Sequence, residues 1–339
     1  MPTIINIQEF VSFHKEGNVL IDVRTPNEFE QGHIPNAINI PLFTNEERVI
    51  VGTLYKQQGK QPAILKGLEL VGPKMADIIV KVKKIAKSNT VLIHCWRGGM
   101  RSGSVAWLLE MYGFKIYILK GGYKTFRNFA LDTFEKEYDV RILGGKTGSA
   151  KTAILQKLVT LNQQIIDLEK LASHKGSAFG SLGENKQPSQ EQFENKLAIS
   201  LQNIDAAIPV WLEDESRLIG NKVIPDGLWN QMRLAKTICI DVSLKERVDY
   251  LVDVYGKFSS EQIKESIEKI TKRLGHLHAK NALIALENDD LKTVCQICLS
   301  YYDKSYNYGV EQRELSTVKH LSYEKLDIDV IAKELIKHL

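Results

Sequence analysis

The sequence predicts an α/β protein made of two consecutive domains, each with a mostly parallel sheet. Short apolar runs alternate with helical segments in the first half, as at residues 19–24 and 90–94, and this alternation is typical of parallel sheets. Two apolar runs lead into glycine-rich loops that precede helices. The chain of 339 residues is long enough for two domains. We predict domains at 1–135 and 136–339, the second with a helical C-terminal part.

Composition and charge are those of an ordinary soluble globular protein, with 43% hydrophobic and 25% charged residues. The net charge of +4 permits a nucleic-acid partner without requiring one. Four cysteines in a chain of this length do not make a disulfide scaffold, which favours a reducing compartment. Because we see neither a signal-peptide pattern nor an apolar run of about 18 residues, we expect a cytoplasmic protein with no membrane partner.

The first predicted domain begins with a lead-in helix and a buried strand at 19–24. A second short strand follows at 38–40. Residues 41–72 show no clear periodicity, so we expect them to be less regular. An amphipathic basic helix at 74–87 then precedes the strand 90–94, which leads directly into a cysteine.

Cys95 lies between this strand and a stretch of helical character. At such a turn, backbone N–H groups and the helix N-terminus favour thiolate over thiol. We therefore expect the Cys95 pKa to lie below the free value of about 8.5. Gly98 and Gly99 tolerate positive φ, and Arg101 can bind an oxyanion through two hydrogen bonds. A buried structural cysteine is the alternative, but it needs neither two glycines nor two arginines beside it.

These features resemble the rhodanese domain over roughly the first 130 residues, a typical domain size. The matching segments are Ile21-Asp22-Val23-Arg24, Glu28-Phe29, Gly32-His33-Ile34-Pro35-Asn36-Ala37, the Cys95 loop and Gly121-Gly122. Rhodanese-like domains carry sulfur or selenium on a cysteine, or act as phosphatases. The resemblance implies mainly structural roles for Asp22, Arg24 and His33.

The length of the cysteine loop indicates the shape of its ligand. Five residues separate Cys95 from Arg101, one more than in the plain sulfur-transfer loop. The longer loop resembles that of rhodanese-related phosphatases and arsenate reductases, and suits a tetrahedral, phosphate-sized oxyanion. We therefore name Cys95, Arg97 and Arg101 as catalytic candidates. The other candidates for oxyanion contact are Trp96, Gly98, Gly99, Met100 and Ser102.

The second predicted domain opens like a P-loop NTPase. An apolar run at 138–143 leads into a glycine-rich loop and then a helix, in the order found in P-loops. Backbone N–H groups of such a loop cradle phosphates, while Lys151 suits an outer phosphate and the Thr152 hydroxyl suits Mg²⁺. Ala150 replaces the usual glycine, which costs about 1–2 kcal/mol if φ is positive there. A glycine-rich turn without function is the disfavoured alternative. The diphosphate-binding candidates are Gly145, Lys146, Thr147, Gly148, Ser149, Ala150, Lys151 and Thr152.

Acidic residues near predicted strand ends are candidates for orienting Mg²⁺ or its water. They are Asp167, together with Glu213 and Asp214 at the end of the apolar run 208–215; solvated acids at an ordinary strand end are an equal alternative. Small residues and one aromatic suggest a mobile substrate loop, with a plain surface loop nearly as well supported. Its candidate residues are His174, Lys175, Ser177 and Phe179.

The C-terminal part is helical and charged from residue 260 onward. The basic residues between 264 and 280 could follow a phosphate backbone, or form a solvated helix face; the pattern favours neither. Cys295 and Cys298 form a CxxC pair whose apolar neighbours favour core packing over zinc. We expect four tyrosines between 301 and 308 to pack rather than stack on bases. A last strand at 318–321 and a closing helix at 328–339 complete the prediction.

The two domains together resemble one family, tRNA 2-selenouridine synthase, over essentially the whole chain. The most specific segments are 94–102, 143–152, 167–169 and 174–180, with further similarity at 47–59. Position 150 is alanine, whereas glycine is commoner there. This difference argues against classical nucleotide binding more than it argues against family membership.

The resemblance implies a transferase that acts on wobble 2-thiouridine in the tRNA anticodon. Geranyl diphosphate would alkylate the 2-thio sulfur, and selenium from selenophosphate would then displace the S-geranyl group to give 2-selenouridine. The P-loop would stabilise the diphosphate leaving group. Cys95 would attack or carry the selenium while Arg97 and Arg101 neutralise the oxyanion. Phe179 is a candidate for the geranyl pocket. No tightly bound cofactor is implied, no metal site is firmly predicted, and Mg²⁺ is compatible with the pattern.

Three other readings compete with this one. The first domain alone fits a rhodanese-type phosphatase, arsenate reductase or sulfurtransferase, which leaves the P-loop unexplained. The second fits a P-loop kinase with a regulatory rhodanese module, against which Ala150 argues mildly. A non-catalytic module that binds tRNA or a partner predicts that Cys95 is unreactive toward alkylation at neutral pH.

Overall fold

The computed structural model describes residues 2–177 and 179–338. The chain divides into two compact units, Met1–Thr133 with Glu194–Ile199 and Phe134–Phe193 with Ser200–Leu339. Each unit is built on a five-stranded parallel sheet. The predicted α/β fold class is therefore confirmed.

The first sheet has the strand order β1-β5-β4-β2-β3. Its strands are β1 (Thr3–Ile5), β2 (Val19–Asp22), β3 (Ile38–Asn39), β4 (Thr90–His94) and β5 (Lys115–Leu119). The helices of this part of the chain are α1 (Ile7–Lys15), α2 (Pro26–Gln31), α3 (Asn45–Gln58), α4 (Lys60–Val71), α5 (Met75–Ile85), α6 (Met100–Met111) and α7 (Gly122–Phe134). Strand residues such as Ile21, Leu92 and Ile93 are fully buried, as expected where both faces of a parallel sheet are covered.

The prediction of an irregular segment at 41–72 is wrong, because α3 and α4 occupy most of it. The α3 helix has no buried residue, so its sequence lacks the apolar stripe on which a periodicity argument depends. Its start carried a usable signal. The Thr44 hydroxyl accepts the Glu47 N–H and the Glu47 carboxylate accepts the Thr44 N–H, which is a capping box.

The second sheet has the strand order β12-β11-β6-β8-β7, and a separate antiparallel pair joins β9 to β10. The strands are β6 (Val140–Gly145), β7 (Gln164–Ile166), β8 (Val210–Glu213), β9 (Leu218–Ile219), β10 (Lys222–Val223), β11 (Lys236–Val242) and β12 (Val318–Tyr323). The helices are α8 (Lys151–Thr160), α9 (Leu168–Ala172), α10 (Gln190–Gln202), α11 (Asp226–Leu234), α12 (Leu244–Tyr255), α13 (Ser260–Leu274), α14 (His276–Glu287), α15 (Leu291–Glu311) and α16 (Ile328–Ile336).

Strand order positions the site in the second unit. The chain leaves the central strand β6 toward β7 and β8 on one side, and reaches β11 and β12 on the other. In open parallel sheets, ligands bind beyond the carboxyl ends of the strands at such a switch point. The glycine-rich loop after β6 stands at this point.

The C-terminal helices build a separate apolar core from α13, α14 and α15. Phe179, Ile263, Ile270 and Cys298 are buried in it. The basic side chains predicted along this region are exposed, including Lys264, Lys269, Lys272, Arg273 and Lys280. Within residues 2–177 and 179–338, we find no helix that is both long and apolar enough to cross a membrane.

Candidate functional site

The Cys95 thiol lies at the carboxyl end of β4, immediately before the loop that leads into α6. Cys95 is 3% exposed, and its Sγ lies 3.2 Å from the Ser102 Oγ. The backbone N–H groups of Arg97 and Ser102 also point at the sulfur. The loop therefore surrounds the sulfur with donors, as expected for a strand-to-helix turn.

Opposing effects act on the pKa of the Cys95 thiol. Burial raises this pKa, whereas the hydrogen bonds from Ser102 and Arg97 and the nearby Arg101 guanidinium lower it. The lowering effects win, so the pKa lies below the ordinary cysteine value. A lowered pKa increases the fraction of thiolate at a given pH, and the thiolate is the nucleophilic form of cysteine.

Glycines allow the loop to approach the segment after β5. A Cβ atom on Gly122 would lie 2.4 Å from the Cys95 carbonyl oxygen and 2.5 Å from the Gly98 nitrogen, so no side chain fits there. Gly98 adopts φ +63°, whereas Gly99 does not have a positive φ. Of the two loop glycines predicted to need this freedom, only Gly98 uses it.

Arg101 has an acidic partner, Glu28, which lies 73 residues away in the chain. Its guanidinium donates from Nη1 to the Glu28 Oε2 at 2.6 Å and from Nη2 to Oε1 at 3.2 Å. Glu28 also accepts the Thr25 N–H, which fixes the carboxylate at the start of α2. Burial raises the pKa of Glu28, but the hydrogen bonds and the Arg101 charge lower it by more. The net pKa of Glu28 therefore lies below its ordinary value. Arg101 is thus held beside the loop by its ion pair with Glu28.

The other loop residues are more open to solvent. Arg97 and Gly99 are exposed, and Trp96 and Met100 are 39% and 58% exposed. These side chains are available to a ligand that approaches the loop from outside. The Arg97 guanidinium is consequently the freer of the two predicted oxyanion-neutralising groups.

A buried ion pair between Asp22 and Arg24 lies near the Cys95 loop. Arg24 Nη2 donates to the Asp22 Oδ2 at 2.6 Å, and both side chains are fully buried. The Arg24 guanidinium also packs 3.8 Å from the centre of the Tyr123 ring. The His33 Nδ1–H donates to the Phe29 carbonyl oxygen at 2.9 Å. These contacts agree with the structural roles expected for Asp22, Arg24 and His33.

The second candidate site is the loop between β6 and α8. Gly145 to Ala150 form the loop, and Lys151 and Thr152 begin the helix. Ala150 adopts φ +56° and ψ +31°, the left-handed conformation that makes alanine costly at this position. The Ser149 hydroxyl donates to the Lys146 carbonyl at 2.8 Å, which closes the loop on itself. The predicted strand–loop–helix order is present, with the strand two residues later than predicted.

Three carboxylates surround the start of α8. Oxygen atoms of Glu169, Glu213 and Glu215 all lie within 4.8 Å of one another. The Thr152 hydroxyl donates to the Glu169 Oε2 at 3.2 Å. Burial and mutual repulsion raise the pKa of Glu169 to about 9 and that of Glu215 to about 8, and burial also raises that of Glu213.

Lys151 balances part of this negative charge. Burial lowers the pKa of its ammonium group, but attraction to Glu213, Glu215 and Glu169 raises it more, so it stays charged. One oxygen of the cluster, Glu213 Oε1, is buried without a hydrogen-bond partner among the described residues, and Glu213 is only 2% exposed. An unpartnered buried carboxylate oxygen in a ring of oxygen donors fits a bound Mg²⁺, which prefers oxygen ligands.

The predicted acidic set differs from this cluster at two positions. Asp167 caps α9 by accepting the Lys170 N–H at 2.8 Å, and it also accepts from Gln156. Asp214 forms an ion pair with the buried Arg313. Glu213 is the one predicted acid that belongs to the cluster. Its other members, Glu169 and Glu215, each lie within two residues of a predicted acid.

A cleft of about 980 Å³ opens above the P-loop. Lys175 and Ser177 of the predicted substrate loop line it, whereas His174 does not. Phe179 is 5% exposed and packs in the helical core, with its ring centre 5.3 Å from that of Tyr255. Ala178, inside this predicted loop, lies outside the described residues.

Arg247 fixes the tip of the P-loop and was not found from the sequence. Its guanidinium donates to the Thr147 carbonyl at 3.1 Å and forms two hydrogen bonds of 2.8 Å with the Asp303 carboxylate. Arg247 is on α12 and Asp303 is on α15, 56 residues apart. No local pattern connects residues so distant in the chain.

Comparison with known proteins gives the same two halves. Residues 7–129 match the family model of the rhodanese-like domain, and residues 138–334 match that of the tRNA 2-selenouridine synthase AAA domain. The matched ranges cover both candidate sites.

Curated relatives extend over nearly the whole chain. A protein named tRNA 2-selenouridine synthase from Shewanella denitrificans is 35% identical over 348 residues, covering 92% of this chain and 93% of its own. One of the same name from Sulfurovum sp. is 34% identical over 341 residues, with coverages of 90% and 92%. A solved N-terminal domain of a Clostridium difficile 630 protein, named for ATP/GTP binding, is 45% identical. It covers 38% of this chain and 99% of that chain, with a TM-score of 0.36. By the domain match over more than half of its length and the relatives that span it, the chain belongs to the tRNA 2-selenouridine synthase family.

Proposed function

We propose that this protein converts 2-thiouridine at the wobble position of tRNA into 2-selenouridine through an S-geranyl intermediate. Family membership supports the tRNA-modifying reaction. The observation that carries the two-step form is the presence of two different anion sites: a loop with an activated thiol, and a loop with a lysine and a ring of carboxylates. A single transfer reaction would need only one of them.

In the first step, the 2-thio sulfur attacks C1 of geranyl diphosphate. The C–S bond forms as the C–O bond breaks, and the electron pair leaves with diphosphate. The P-loop backbone N–H groups and the Lys151 ammonium stabilise that leaving charge. No phosphoryl group is transferred, so the loop acts as an anion cradle without a nucleophile.

Mg²⁺ fits the chemistry of this site. The Thr152 hydroxyl and the carboxylates of Glu169, Glu213 and Glu215 would hold the ion. When bound, the ion supplies positive charge to the diphosphate.

In the second step, the Cys95 loop binds selenophosphate. The thiolate attacks phosphorus, the P–Se bond breaks, and selenium leaves as hydrogen selenide anion. This selenium attacks C2 of the geranylated base and expels geranyl thiolate, giving 2-selenouridine. Water then hydrolyses the phosphorylated Cys95 to free thiol and phosphate. Arg97 and Arg101 neutralise the phosphoryl oxygens during the transfer.

Mass analysis of nucleosides tests the proposal. The protein is incubated with tRNA that contains 2-thiouridine, and the digested nucleosides are compared. We expect S-geranyl-2-thiouridine with geranyl diphosphate alone, and 2-selenouridine when selenophosphate is also present.

Two outcomes would support the competing functions instead. Hydrolysis of an aryl phosphate at a rate that tRNA does not change would favour a rhodanese-type phosphatase. Mg²⁺-dependent ATP turnover without nucleoside modification would favour a P-loop kinase.

A further inference from the structure

One segment of α10, Glu194–Ile199, belongs to the first compact unit, although the chain on both sides of it forms the second unit. The rest of the first unit ends at Thr133. Within this segment the polar residue Asn195 is fully buried. A buried amide side chain requires hydrogen-bond partners, so the partners of Asn195 show what the segment supports.

The Asn195 side chain forms hydrogen bonds with three residues of the first unit. Its Nδ2 donates to the Tyr123 hydroxyl oxygen at 2.7 Å and to the His33 carbonyl oxygen at 3.1 Å. Its Oδ1 accepts from the Arg127 Nη1 at 3.1 Å. Because a guanidinium only donates and a carbonyl only accepts, these partners allow one orientation of the amide. Asn195 therefore holds the Tyr123 hydroxyl in a fixed place.

Tyr123 connects this amide to the Cys95 loop. Tyr123 is fully buried, and its backbone N–H donates to the Cys95 carbonyl oxygen at 2.8 Å. The next N–H along α7, that of Lys124, donates to the Trp96 carbonyl oxygen at 3.0 Å. The Tyr123 ring centre also lies 5.7 Å from that of Trp96. A displacement of Tyr123 would therefore displace the first residues of the loop.

We propose that Asn195 is a positioning residue for the Cys95 loop and that it acts through Tyr123. With the Tyr123 hydroxyl held, the loop keeps the conformation in which the Arg97 and Ser102 N–H groups point at the sulfur. The thiol of the first unit thus depends on a residue supplied from the second half of the chain. The effect on the thiol is independent of the tRNA reaction, whereas its consequence for selenation rests on the proposed function.

Alkylation of Cys95 by iodoacetamide in the full chain tests the inference, with the labelled residue identified by peptide mass analysis. In Asn195→Ala the loop N–H groups lose their alignment with the sulfur, so the thiolate is less stabilised. The midpoint of the rate profile should move to higher pH. The rate at pH 7, relative to the plateau at high pH, should fall about threefold or more. Leu197→Ala truncates another fully buried side chain of the same segment and should leave the midpoint unchanged.

Tyr123→Phe tests the route from the amide to the loop, and it replaces the first variant if Asn195→Ala does not fold. It removes only the hydroxyl that Asn195 holds, so it should shift the midpoint in the same direction. The double variant should shift the midpoint no further than a single one, because both substitutions break the same contact. The inference is overturned if either folded variant keeps the unmodified midpoint, if Leu197→Ala shifts it equally, or if the two shifts add.

Nucleoside mass analysis extends the test to the reaction. On tRNA that is already geranylated, Asn195→Ala should reduce selenation about threefold or more at pH 7, because less thiolate is present. Geranylation by the same variant should be unchanged. If the midpoint shifts as expected but the unmodified protein makes no 2-selenouridine, the proposed function fails and this inference stands.

Discussion

The Cys95 loop and the P-loop have similar backbone arrangements but carry different side chains. Each follows a buried parallel strand, β4 or β6, and each leads into a helix, so each directs backbone N–H groups at one point. In the first loop a thiol lies at that point, and its pKa is lowered. In the second loop a lysine lies there, and its pKa is raised by three carboxylates.

The difference shows that the backbone supplies anion binding and the neighbouring side chains decide the chemistry. Around Cys95, the donors stabilise an attacking thiolate. Around Lys151, three acidic side chains with raised pKa values offer oxygen ligands to a cation beside the anion. One loop is therefore suited to covalent chemistry and the other to holding a leaving group.

The largest expected effect comes from replacing the Cys95 thiol. Cys95→Ser should reduce selenation by at least about 10³-fold, because a serine hydroxyl is far less ionised than this thiol. Geranylation should persist. Nucleoside mass analysis of both products measures this, with Cys239→Ser as the matched exchange outside both loops. Equal loss of both products would contradict the division of roles.

The second largest effect is expected from removing the Lys151 ammonium group. Lys151→Ala should reduce geranylation about 10²–10³-fold, since it removes the charge that stabilises the diphosphate. Selenation of tRNA that is already geranylated should continue. Lys157→Ala, on the same helix but paired with Asp329, serves as control. If pre-geranylated tRNA is not selenated by Lys151→Ala, the two loops do not act separately.

A smaller effect is expected on the pKa of the Cys95 thiol. Ser102→Ala removes a hydrogen bond to the thiolate and should raise the Cys95 pKa. Alkylation by iodoacetamide rises with pH through this pKa, so the variant should react about tenfold more slowly at pH 7. The rate profile from pH 5 to 10 measures the shift. Ser104→Ala should leave the profile unchanged, and identical profiles for both variants would refute the role of Ser102.

The smallest effect concerns the backbone of the P-loop. Ala150→Gly should stabilise the protein by up to about 1 kcal/mol, because the relief of left-handed strain exceeds the entropy that glycine loses. Ala153→Gly, one turn into α8, should destabilise by about 0.5–1 kcal/mol. Urea unfolding midpoints compare them. A loss of stability in both variants would show that Ala150 is unstrained.

Most of the architecture could be predicted because its signals are local. Parallel strands read as apolar runs, and both glycine-rich loops sit in short continuous segments. The helices α3 and α4 were missed since they bury too little to leave a periodic stripe. The acidic cluster was only partly predicted. Which of Glu213, Asp214 and Glu215 faces Lys151 depends on how each side chain leaves the end of β8.

Local sequence patterns define the two strand–loop–helix cradles, the thiol in one, the lysine in the other, and the family that combines them. The residues of each cradle lie within about a dozen residues of one another in the chain, so local chemistry defines them. The packing of distant elements reveals that Glu28 pairs with Arg101, that Arg247 holds the P-loop through Asp303, and that the CxxC pair lines an apolar cavity beside it. Each of these depends on side chains that are distant in sequence and meet only when helices pack.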